Sequence, residues 1–238
     1  MTTSEIAPAG PRRKRGTRRG GGRLPAQGRG VHRCMVLATT SEDTAAVDLD
    51  SGALVRLRTD PGRQLDAPVA PFDVVDVVWA ADPERDDLAQ PEAVTVAGVP
   101  SAVGTIGGRR ARQLMRHLVV PTEQHLLGFP GSSAPYWEFG GMRPSLAVVV
   151  PSRGPLLFRR IEEPDTVWAR FGWPRSDNWL PVEDPHAVAT LGASRRDRLS
   201  GKDLANALGF RPHYLVVALS RPREGYCYKT VAALLPRP

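Results

Sequence analysis

From Val31 onward the apolar residues come in short β-branched runs separated by turn residues, and this rhythm constrains the fold most. CMVLATT, the polar SED and TAAVDL read as strand, turn and strand. Asp50-Ser51-Gly52 makes a second turn ahead of ALVRLR. PFDVVDVVWAA is too short and too valine-rich for a comfortable helix, and AVTVAGV reads as a further strand. The expected class is α+β and β-dominated, with a mixed or antiparallel sheet. A barrel-like closure is among the arrangements it allows, and one or two short helices accompany it.

The clearest helix lies in GGRRARQLMRHLVVP, where Ala111, Leu114, Met115 and Leu118 recur at i, i+3, i+4 and i+7. LSGKDLANALGF predicts a second, with Ser200 as N-cap and Asp203 three residues on. There Leu199 staples against Leu204, and Gly209 ends the helix. The spacing of Ala205, Gly209 and Leu215 also fits a helix-turn-helix. LVVAL, however, is strand-like, so a helix leading into a core strand is the expectation. GMRPSLAVVVPSR from Gly141 resembles GFRPHYLVVALSR from Gly209, a weak internal repeat of two hairpins. Leu146–Val150 and Leu215–Leu219 are therefore expected to be buried strands.

Charge divides the chain more sharply than hydropathy does. Through Arg33 there are nine basic residues and one acidic one, a net of +8. The other 205 residues hold 23 basic and 24 acidic side chains, a net of −1. Residues 1–30 are rich in Arg, Gly and Pro with almost no aliphatics, so they cannot bury enough surface to offset ordering. The expected organisation is a disordered basic arm over residues 1–30 and a β-rich domain over 31–238, with a subdivision near 104–122.

Several function classes lose support. No apolar run approaches the roughly 20 residues that a membrane helix requires. The twin arginines are followed by Gly, Pro and Gln, so a secretory signal is not expected. Cys34 and Cys227 lie far apart and outside any C-x-x-C, which indicates neither a zinc site nor a disulfide framework. Asp203 stands where a phosphate-binding loop needs Ser or Thr, and GFPGSSAPYW lacks a nucleophile elbow. The four histidines from His117 onward show no metal-ligand spacing. These features predict a cytoplasmic protein with no membrane partner, catalytic residue, metal or cofactor.

What remains points to nucleic acid, DNA or RNA. Arg12, Arg13, Lys14, Arg15, Arg18 and Arg19 suit sequence-independent phosphate contact. Arg109, Arg110, Arg112 and Arg116 decorate the outer face of the first helix and extend that surface, unless the acidic loop around Asp82–Asp87 pairs with them. VWARFGWPRSDNWLP sets Trp168, Trp173 and Trp179 among arginines, a composition suited either to stacking bases or to a hydrophobic plug. The sequence-based reading is a non-enzymatic nucleic-acid-associated binding or assembly protein. The competing reading is an enzyme with a pocket walled by the 128–141 loop.

Overall fold

The computed structural model describes residues 30–59, 69–80, 89–121, 125–139, 143–173 and 176–238. The basic arm, apart from Gly30, and the acidic residues at 82–87 lie outside them. Strands β1 (Val31–Thr39), β2 (Thr44–Asp48) and β3 (Leu54–Arg58) form the expected antiparallel meander. Strand β4 (Asp73–Val78) lies on the other side of β1, with Val31 opposite Val78 and Met35 opposite Val74. Strand β5 (Ala93–Thr95) runs parallel to β3, with Arg56 opposite Ala93.

One bridge turns this sheet into a barrel. Trp79 pairs with Val96, while Ala80 N donates to Thr95 O (2.9 Å) and Ala97 N to Val78 O (2.7 Å). The cyclic order β1-β2-β3-β5-β4 is the five-stranded Greek-key barrel of the OB-fold. Strand β6 (Ser101–Thr105) pairs with the opposite end of β4. Helix α1 (Gly108–Leu118) and a short edge strand, β7 (Ser133–Pro135), follow.

The second half repeats the connectivity. Strands β8 (Leu146–Val149) and β9 (Arg153–Arg159) act as one bent first strand, and β10 (Val167–Trp173) and β11 (Ser176–Pro181) complete its meander. Helix α2 (Pro185–Ala193), β12 (Arg198–Ser200) and helix α3 (Gly201–Leu208) lead to β13 (Tyr214–Leu219) and β14 (Tyr226–Leu235). β13 pairs with β8 and β14. A parallel Val182–Val231 bridge, with Glu183 N donating to Val231 O (2.9 Å), joins β14 to the end of β11. The order is again 1-2-3-5-4. The repeat legible in the sequence is a different one: its two segments, β8 and β13, are neighbours within the second barrel.

The barrels share an apolar layer. In β1, Cys34 and Val36 fill the first barrel, whereas Met35 and Leu37 join Val216 and Ala218 of β13 between the two. Leu215 and Val217 point the other way, into the second barrel. Strands buried on both faces need no polar alternation, which is why LVVAL is apolar throughout. Cys34 and Cys227 are both buried but belong to different barrel cores, and burial pushes the Cys34 thiol up to about 12.

The expected core strand after the helix at Gly201–Leu208 is present, and two other expectations are corrected. Tyr214–Leu219 is a fully buried strand, which removes the helix-turn-helix. Ser200 stands at the N-cap of α3 without a side-chain cap bond, and Asp203 pairs with Arg196 instead, although Gly209 does take the left-handed conformation (φ 77°). Helix α2 makes a third helix. Asp184 caps it, Oδ1 accepting from His186 N (2.9 Å) and Ala187 N (3.2 Å), and Pro185 follows at the first helical position.

Candidate nucleic-acid interface

Within VWARFGWPRSDNWLP, Val167–Trp173 and Ser176–Pro181 are paired antiparallel strands rather than a loop. Along β10, Val167, Ala169, Phe171 and Trp173 enter the barrel core, so Trp168 and Arg170 must face outward. On β11, Leu180 faces in and Trp179 faces out, 43% exposed. Pairing sets Arg170 directly opposite Trp179, and Trp168 opposite Phe158 of β9. Trp173, placed with the stacking residues on composition, is 2% exposed and belongs to the plug. Trp168 and Trp179 thus lie on the outer face and Trp173 inside the barrel.

The outer face is layered. The Arg160 guanidinium lies 3.6 Å from the Trp168 ring centroid and 5.8 Å from that of Trp179. The Arg170 guanidinium is 5.3 Å from Trp179, whose ring meets Phe158 edge-on at 5.4 Å. Exposed contacts of this kind contribute about 0.5–1 kcal/mol each, enough to hold the planes in register. Trp168 Nε1 donates to Glu163 Oε2 (3.0 Å) and Arg170 Nε to Asp177 Oδ2 (3.2 Å). Hydrogen bonding to Arg170 holds the Asp177 carboxyl below its usual range.

Gly172 permits the close approach of β9 to this hairpin. A Cβ there would sit 2.7 Å from Ser152 Oγ and 3.0 Å from Arg153 Cβ, where the β9–β10 register shifts. Phe158, Arg160 and Arg153, from β9 and just beyond it, and Asp177, within the quoted segment, complete the face but escape the sequence reading. Alternation in PLLFRR was the available signal for Phe158 and Arg160.

The remaining predicted residues are distributed elsewhere. Arg12, Arg13, Lys14, Arg15, Arg18 and Arg19 lie outside the described residues. On α1, Ala111 and Met115 are buried in the shared layer, and the arginines are exposed. Arg112 donates through Nε (3.1 Å) and Nη2 (2.9 Å) to Pro238 O. Arg109, Arg110 and Arg116 have no ion-pair partner among the described residues. Arg110 borders a polar cleft of about 640 Å³ with Arg33, Asp50 and Asp76, at the point where the arm joins the barrel.

Two aromatic rings anchor the described part of the 128–141 loop. Phe129 and Phe139 are buried and meet edge-on at 5.5 Å. Lys229 of β14 is 1% exposed, and its Nζ donates to Phe129 O and Gly131 O, both at 2.7 Å. Burial lowers the Lys229 ammonium to about 8. Lys229→Met should therefore orphan two carbonyls and lower stability by about 2 kcal/mol, read as a reduced urea midpoint at unchanged slope. A larger cleft of about 880 Å³ lies between the β1–β2 turn and the start of α2, and none of the described residues 128–139 lines it. Among the described residues no group of three or more His, Cys, Asp or Glu side chains is placed to hold a metal ion. No helix there is long and apolar enough to cross a membrane.

No protein-family model matches the chain, and no curated protein matches it. Among solved structures, the crystal structure of the p204 HINb domain is similar over 85% of this chain and 97% of its own length. Its identity is 12% and its TM-score 0.35, so the fold rests on the strand pairings above.

Proposed function

We propose that the chain binds single-stranded nucleic acid, DNA or RNA, and performs no catalysis on it. The observation that carries this reading is the outward row of Trp168, Arg170 and Trp179, with Arg160 laid on the rings. Unpaired bases stack on aromatic and guanidinium planes, at about 1–3 kcal/mol per base. Duplex DNA, with its bases already stacked, offers such a surface nothing.

Fold-level analogy supports the same strands. OB barrels take polymeric ligands on the face of their second and third strands. In the first barrel that face is covered: Ala45 and Val47 of β2 lie in the shared layer and Arg56 of β3 is 2% exposed. In the second barrel it is the tryptophan face. The Glu162, Glu163 and Asp165 turn beside it offsets the local arginines, so the arm supplies the net positive charge.

The two contributions separate experimentally. Deleting residues 1–30 should abolish most binding to mixed-sequence duplex. Six engaged cations give a slope of about −5 in log affinity against log salt, falling near zero after deletion. Binding to a single-stranded oligonucleotide should survive the deletion in weakened form, because the stacking face remains. Equal duplex affinities with and without the arm, by gel shift at several salt concentrations, would remove it from the account.

A further inference from the structure

We infer that Arg153 and Arg170 form a phosphate subsite on the tryptophan face, and that the Asp177 carboxylate holds the phosphate's place in the free protein. This rests on the proposed single-strand binding and adds where the backbone is gripped. Asp177 receives two guanidiniums from two different strands. Arg170 of β10 reaches Oδ2 through Nε (3.2 Å) and Nη2 (2.5 Å), and Arg153 of β9 lies 3.5 Å from Oδ1. Two forks converging on a pair of oxygens is the arrangement that recognises a phosphate as readily as a carboxylate.

The surroundings favour exchange. Side-chain exposures of 77% for Arg153, 41% for Arg170 and 29% for Asp177 leave the group open to a ligand. Surface pairs of this kind are weak, so a competing phosphate displaces the carboxylate at small cost. Arg170 also faces Trp179 at 5.3 Å, which places a gripped phosphate beside a base-stacking plane. Gly172, opposite Asp177 in the β10–β11 pairing, adds no side chain between the two strands. The small cost of displacing Asp177 thereby favours a ligand that also stacks over one that offers phosphate alone.

The test uses the full chain and a single-stranded oligothymidylate at two salt concentrations. Asp177→Asn should tighten binding about three- to tenfold, with the salt slope steeper by about 0.7 per added phosphate. Asp165→Asn makes the same change in net charge on the neighbouring turn and should shift affinity far less. Adding Arg153→Ala to Asp177→Asn should cancel most of the gain. Circular dichroism establishes that each variant is folded. Equal effects of Asp177→Asn and Asp165→Asn, or a weakening by the former, would overturn the subsite. A Trp168→Ala/Trp179→Ala variant in the same series distinguishes the levels. Unchanged affinity there defeats the stacking reading itself, whereas lost affinity beside an inert Asp177→Asn defeats only the subsite.

Discussion

Replacing Arg56 with methionine is expected to destabilise the protein by about 3–5 kcal/mol. Arg56 is 2% exposed and spans the seam between the barrels. Its Nη1 donates to Asp43 Oδ2 (2.8 Å), Nε to Ser145 Oγ (2.9 Å), and Nη2 to the carbonyls of Ser145 and Leu219 (both 2.8 Å). Glu92 continues the network, accepting from Ser145 N (2.8 Å) and Ser145 Oγ (2.6 Å), and burial raises its carboxyl above the usual range. Methionine fills similar volume but leaves the buried Asp43 carboxylate without its donor, whereas Ser145 O keeps Leu219 N (2.9 Å) and Leu219 O keeps Gln90 Nε2 (2.7 Å). The loss follows from the orphaned carboxylate more than from any net value of the ion pair. Adding Asp43→Leu to Arg56→Met should recover part of it, a coupling that urea denaturation of the two single variants and the double resolves. Additive losses would show that the two side chains act independently.

The fold was legible where one local pattern determined one element. The first three strands, α1, and the two strands at Leu146–Val149 and Tyr214–Leu219 follow from β-branched runs and helical periodicity. Helix α2 carries a start signal in EDPHAVATL, where an acidic cap precedes proline, but its weakly amphipathic face hid it. Gly172 and Pro174 lowered the strand propensity of VWARFGWPRSDNWLP, and its inward Val167, Ala169, Phe171 and Trp173 outweighed that cost by filling the barrel. Barrel closure depends on Trp79 meeting Val96 and on Val182 meeting Val231. Those are long-range pairings that no local window encodes. The candidate site shares this limit: Trp168 and Trp179 are visible as composition, but only the β9–β10–β11 register separates them from Trp173.

The second large effect concerns those two rings. Trp168 and Trp179 project from adjacent strands beside Arg160 and Arg170, while their neighbours Ala169 and Leu180 hold the barrel from within. Truncating the outer pair should leave the core intact and remove stacking planes for one or two bases, each worth about 1–3 kcal/mol. Because the rings share Arg160, the double loss is expected to fall short of the sum of the singles. The most direct measurement is the equilibrium affinity of the full-length Trp168→Ala/Trp179→Ala variant for a single-stranded oligonucleotide at fixed salt, beside the unaltered chain. The account predicts at least about a tenfold loss with thermal stability and duplex affinity little changed. Single-strand affinity equal to that of the unaltered chain would contradict it.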